Sequence, residues 1–195
     1  MLPLFIIDSL KYWTQEYHID GFRFDLMGLI DKETMNLVEK TLHNIDPEIL
    51  IYGEPWYALP PQLEQESQIY KGFQKNKKIA AFNDHFRDAI KGSTNGSDRG
   101  FVSGARDYDL QIKQGIVGGI KYNEEITDFT YSAAEAVNYI SCHDNLTLRD
   151  KLGIANPEDE ERIIIKMVRL AQAIVFTSQG IPFIQGGSRI FKNKV

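Results

Sequence analysis

Three acidic residues stand where short apolar runs give way to turns: Asp25, Glu54 and Asp144. The first closes Asp20-Gly21-Phe22-Arg23-Phe24-Asp25, the second lies in Gly53-Glu54-Pro55-Trp56, and the third in His143-Asp144-Asn145. On a strand, side chains two apart share a face, so Arg23 and Asp25 point one way and Phe22 and Phe24 the other. Clustered carboxylates repel and cost stability, so a chain that gathers them uses them. Glycoside hydrolysis is the chemistry that fits. Its retaining form needs two carboxyl groups roughly 5 Å apart, one an ionised nucleophile and the other a protonated acid. Local surroundings divide the roles. Arg23 beside Asp25 suits an ionised nucleophile. Pro55 and Trp56 give Glu54 an apolar setting that suits a general acid/base. His143 and Asp144 have the groups to grip sugar hydroxyls.

The same residues have plainer uses. Arg23 and Asp25 could be a structural ion pair, and Gly53-Glu54-Pro55-Trp56 a turn with an exposed acid. Asp144 or Asn145 could cap a helix over Leu146 to Lys151. A metal site from His143, Asp144 and Asp25 is conceivable, but zinc-type HxxxH spacing is absent, and the expectation is no metal and no cofactor. Cys142 as a thiol nucleophile meets the objection that adjacent strand residues face opposite ways. No glycine-rich phosphate loop is present, and Gly115-Ile116-Val117-Gly118-Gly119 reads as a flexible loop.

The elements that must position these acids follow from periodicity. Phe5, Ile6, Leu10, Trp13 and Tyr17 predict a helix over 4–17, and Gly21–Leu26 reads as a strand. Asp31 caps a helix with the apolar stripe Met35, Val38, Leu42 and Ile45. Strands follow at 49–52 and 79–82, with a polar loop of short helical turns over 60–78 between them. A short helix over 85–91 leads into a glycine- and serine-rich loop over 92–100. A fourth strand is expected at 137–141. Asn156-Pro157-Glu158-Asp159-Glu160 reads as a helix start. That helix runs to about Ser178 on Ile163, Met167, Leu170, Ile174 and Val175, before a fifth strand at 181–184. Strands alternating with helices predict parallel β/α units. Five strands fall short of the eight, in ~250 residues, of a closed (β/α)8 barrel. The expectation is therefore an α/β fold, a partial TIM barrel forming a single domain over 1–195. A doubly wound sheet is the alternative.

Composition bounds the partners. The net charge of −5 over 195 residues argues against nucleic acid or an anionic membrane. No apolar stretch is long enough to span a bilayer. The single cysteine excludes an internal disulfide and a multi-cysteine metal site. The N-terminal run lacks a basic region and a cleavage site, so the expectation is a cytoplasmic chain if it is expressed as it stands.

Asp20 to Gly28, Tyr52-Gly53-Glu54-Pro55-Trp56 and Asn138 to Thr147 resemble three of the four signature regions of the α-amylase superfamily. They have the form found in its type I pullulanase family of α-1,6 debranching enzymes. Ala80 to Gly92 resembles that family's sixth strand and the loop after it. The resemblance implies that Asp25 is the nucleophile, Glu54 the acid/base and Asp144 the third carboxylate, which steadies the transition state. It implies that Arg23 and His143 hold the sugar at the cleavage point, with Trp56 and Asn145 near the cleft. The substrate would be an α-glucan such as pullulan, starch or glycogen. The strands here would be the fourth to eighth of the family barrel, without the first three strands, the first signature region or a C-terminal β domain. Phe183-Ile184-Gln185-Gly186-Gly187-Ser188-Arg189 departs from the family's Phe-x-His-Ala-Gly run. Open sheet edges would favour self-association. Two functions stay open at this point: a retaining α-1,6-glucan hydrolase segment, or a catalytically silent fragment that at most binds α-glucan.

Overall fold

The computed structural model describes residues 2–60, 62–125 and 129–186. Among them lie five strands in chain order, with helices in the connections: the α/β, partial-barrel class that the strand–helix alternation predicts. The chain forms two compact units, one ending at Phe82 and the other beginning at Asn83.

The first unit holds α1 (Leu2–Tyr17), β1 (Gly21–Phe24), α2 (Lys32–Ile45), β2 (Leu50–Gly53) and β3 (Ala80–Phe82). β1 pairs with β2 and β2 with β3, both in parallel. The α2 helix forms as its pattern predicts, with the Asp31 carboxylate accepting from the Thr34 N–H at 2.8 Å. Met35, Val38 and Leu42 pack with Ile7, Phe24, Met27, Ile51 and Ile69 in one core. Ile45, expected in that stripe, is exposed at the helix end. The α1 stripe is also narrower than predicted. Ile6, Ile7 and Leu10 meet the core, whereas Phe5, Trp13 and Tyr17 are exposed. Trp13 and Tyr17 instead pack against each other and Tyr12 on the helix surface. The polar stretch over 60–78 contains a single helical turn, Gln65–Ser67, among its described residues.

The second unit holds α3 (Asp84–Lys91), α4 (Asp109–Ile116), β4 (Ala136–Asn138), α5 (Leu148–Ala155), α6 (Glu161–Thr177) and β5 (Ile181–Pro182). β4 pairs with β5 in parallel. Phe86, Ile90, Ile112, Leu148, Leu152, Ile164, Val168 and Val175 form its core. The α4 helix was not expected, and the Gly115–Gly119 run closes it in an ordered turn. Gly118 and Gly119 take φ of 74° and 75°, and the Gly119 N–H donates to the Gln114 carbonyl at 2.8 Å. Neither Asp144 nor Asn145 caps α5. Thr147 does, its hydroxyl accepting from the Asp150 N–H and donating to the Asp150 carboxylate. Asn156 does not open the last long helix but ends α5, donating to the Leu152 carbonyl and to Ser103 Oγ. The α6 helix therefore starts later than predicted, at Glu161. Its buried face is Ile164, Val168, Ala171 and Val175; of the expected stripe Val175 is buried, Met167 and Ile174 pack partly against the core, and Leu170 is exposed. Gly187, Ser188 and Arg189 lie outside the described residues.

The 92–100 loop is tied to α5 by Lys151, which is fully buried. Its Nζ donates to the Gly96 and Asp98 carbonyls, both at 2.6 Å, and to Asp98 Oδ1 at 3.3 Å. Burial works against the Asp98 charge, but the Ser93 donors and Lys151 hold its pKa down at about 2.

Candidate active site

In the first unit, parallel register sets the site. Phe24 pairs with Gly53, so the residues just past β1 and β2, Asp25 and Glu54, emerge from neighbouring strand ends. The Glu54 N–H donates to the Phe24 carbonyl at 3.1 Å. Gly53 permits this closeness, because a Cβ there would lie 2.8 Å from the Phe24 carbonyl oxygen.

Arg23 bridges the two acids. Its Nη2 donates to Glu54 Oε1 at 2.7 Å and its Nη1 to Asp25 Oδ1 at 3.2 Å. The shorter contact belongs to Glu54, whereas the sequence suggested Asp25. The second Glu54 oxygen accepts from the Leu26 N–H at 2.9 Å. Leu26 takes φ 43°, ψ 50°, a left-handed conformation that costs a non-glycine residue energy. Here the turn aims its N–H at the carboxylate. The Glu54 carboxylate is thus held by two donors rather than by the apolar setting that Pro55 and Trp56 suggested. Its side chain is 7% exposed, against 69% for Asp25.

The surrounding loops are fixed as well. Gly28 N–H donates to the Trp56 carbonyl at 3.1 Å, and a Cβ at Gly28 would sit 2.5 Å from that oxygen. Trp56 and Tyr52 each lie near the Phe82 ring, and the Arg23 guanidinium carbon is 5.7 Å from its centroid. Arg23 Nε is buried without a hydrogen-bond partner.

In the second unit, His143, Asp144 and Asn145 lie on the exposed loop after β4. His143 Nε2 is 3.5 Å from Asp144 Oδ2, and both side chains are more than half exposed, at 61% and 57%. Asn145 takes φ 63°, turning the chain toward Thr147. The base of this loop is packed and hydrogen-bonded. Tyr139 is buried, its hydroxyl accepts from Arg87 Nη1 at 2.6 Å, and the Arg87 guanidinium carbon lies 5.3 Å from its ring centroid. Burial pushes the Tyr139 pKa well above the ordinary tyrosine value. Beside it in α3, Lys91 is 1% exposed.

Of the residues singled out from sequence, Arg23, Asp25 and Glu54 come together directly, and His143 and Asp144 form a second pair. Sequence reasoning missed the Leu26 N–H, Gly28, Arg87 and Tyr139. Arg87 had a visible signal, a cation on the helix that opens straight after the third strand. The Leu26 donor had none, because it depends on a left-handed turn at an ordinary residue.

No protein-family model matches the chain. It is 34% identical over its whole length to the pullulanase of Bacillus subtilis, covering 27% of that protein. It is 30% identical to the pullulanase of Klebsiella aerogenes, covering 21% of it. The chain thus spans about a quarter or less of these curated relatives. Among solved structures, the pullulanase of Bacillus acidopullulyticus superposes on 98% of the chain with a TM-score of 0.93 at 44% identity, over 23% of that structure. The pullulanase of Paenibacillus barengoltzii, in complex with maltohexaose and α-cyclodextrin, gives the same TM-score at 43% identity, with 98% of the chain and 30% of that structure covered.

Proposed function

Because the chain is homologous along its whole length to a segment of the pullulanases, we propose that it is part of a glycoside hydrolase that cleaves α-1,6-glucosidic links in pullulan or branched α-glucans with retention. Asp25 attacks the anomeric carbon and forms a glycosyl ester. Glu54 gives its proton to the departing glycosidic oxygen and then takes one from the water that breaks the ester. Asp144 steadies the positive charge of the transition state, Arg23 and His143 hold the sugar, and Trp56 and Asn145 line the approach.

The observation that carries this reading is the Arg23 bridge between Asp25 and Glu54 at adjacent strand ends. It gathers on one cation the two carboxylates that a retaining mechanism needs close together. Each Glu54 oxygen holds one donor and keeps a second acceptor site, so a proton can be taken up there while Arg23 and the Leu26 N–H stay in place.

The test is reducing-sugar release from pullulan by this chain, with Asp25→Ala as the control, and proton NMR of the first product anomer. Release above the control with the α-anomer formed first supports the reading. Release equal to the control overturns it for this chain, and retained maltohexaose affinity would then leave an α-glucan-binding segment.

A further inference from the structure

We infer that Cys142, His143 and Asp144 form a binding site for a borderline-soft divalent cation, of which Zn2+ is the representative. Each offers one donor, a thiol sulfur, an imidazole nitrogen and a carboxylate oxygen, and the three donor atoms lie within 4.8 Å of one another. Consecutive residues of a strand would send their side chains to opposite faces. Here β4 has already ended at Asn138, so that alternation no longer applies and the three donor atoms lie together. His143 Nε2 is 3.5 Å from Asp144 Oδ2, and Cys142 Sγ is 4.0 Å from the Asp144 carbonyl oxygen.

The donor set selects the ion. Zn2+ takes sulfur, nitrogen and oxygen at about 2.0–2.3 Å, which places tetrahedral donors roughly 3.5 Å apart. The cluster needs a contraction of about 1 Å to reach that spacing, and His143 and Asp144, both exposed, can supply it by side-chain rotation. Cys142, half-buried, is the anchor. Three protein donors leave a fourth position to water, the open type of zinc site. Mg2+ and Ca2+ seek all-oxygen shells and do not suit a thiolate and an imidazole. A cation here engages His143, which the hydrolase reading gives to the sugar, and Asp144, which it gives to the transition-state charge, so Zn2+ should compete with α-glucan. That consequence rests on the hydrolase reading, whereas the site itself does not.

Calorimetric titration of the reduced chain with Zn2+ tests the site without any glucan. One equivalent should bind, and Cys142→Ser and His143→Ala should each weaken binding by about tenfold or more. Co2+ in place of Zn2+ should give a sulfur-to-metal absorption in the near ultraviolet that Cys142→Ser abolishes. Far-UV circular dichroism checks that both variants fold. The absence of saturable binding overturns the site, as does binding that Cys142→Ser leaves unchanged, which would put the ion on other histidines. Zn2+ that binds at Cys142 yet leaves pullulan hydrolysis intact overturns the competition alone.

Discussion

Glu54 and Asp144 each follow a strand, and they are held in opposite ways. Glu54 is nearly buried and both its oxygens are engaged, by Arg23 Nη2 and the Leu26 N–H. Asp144 is more than half exposed and meets His143 at 3.5 Å. A carboxylate fixed by two donors before any ligand arrives needs little reorganisation when chemistry begins. One on an exposed loop must lose side-chain freedom on binding. The first unit therefore carries one preorganised acid, Glu54, beside the exposed Asp25, and the second carries a histidine and an acid that become ordered around whatever they bind, whether a sugar or a cation.

Removing the clamp should give the largest effect. Arg23→Met leaves Glu54 buried with its negative charge facing one backbone donor. Stranding one member of such a pair costs about 3 kcal/mol, read as a lower urea midpoint with an unchanged slope. Arg23→Met/Glu54→Gln should recover part of that loss, because the uncompensated charge is gone. A single-variant loss below about 0.5 kcal/mol would mean that Glu54 is no more tightly held than Asp144, and the contrast would fail.

The sequence revealed one half of this contrast better than the other. Asp25 and Glu54 were legible as strand-end acids because alternation and glycine mark where β1 and β2 stop. The α2 helix was legible from its Asp31 cap and its stripe. The partner of Arg23 was not. Asp25 lies two residues away, while Glu54 is 31 residues away and reaches Arg23 only through the Phe24–Gly53 register. Local spacing favoured the wrong acid for the shorter bond. The α4 helix escaped notice because Asp109–Ile116 has only Leu110, Ile112 and Ile116 as large apolar residues. The start of α6 slipped because Asn156 looks like a cap, and its side chain does cap, but at the end of the preceding helix.

The second unit has its own buried charge, and it lacks a clamp. The Lys91 side chain makes no hydrogen bond or ion pair among the described residues. Burial, with the Arg87 guanidinium adding repulsion, brings its pKa down to about 8 from the ordinary 10.5. The folded form therefore holds fewer protons than the unfolded form between about pH 8 and 10.5, and stability rises with pH across that window. Lys91→Met removes the penalty. It should stabilise the chain by on the order of 2 kcal/mol at pH 7, with the gain shrinking from pH 8 and nearly gone by pH 10.5. Urea titrations at pH 7, 9 and 10.5 measure this. A gain that stays constant across the three would show that methionine merely packs better, and that Lys91 carries no unbalanced charge.

The smallest stability effect belongs to Asp144. Its contact with His143 is long, exposed and open to screening, and such pairs contribute between nothing and about 1 kcal/mol. Asp144→Asn should therefore shift stability by less than about 0.5 kcal/mol, and 0.5 M salt should shrink that difference further. The same substitution should lower pullulan hydrolysis by orders of magnitude if Asp144 steadies the transition state, because a neutral amide offers no counter-charge to a developing cation. The two readouts pull apart only for a residue whose work begins when a ligand arrives. Were Asp144→Asn to destabilise the chain by as much as Arg23→Met, the loop would be as preorganised as the first unit, and the division of labour between the two acids would collapse.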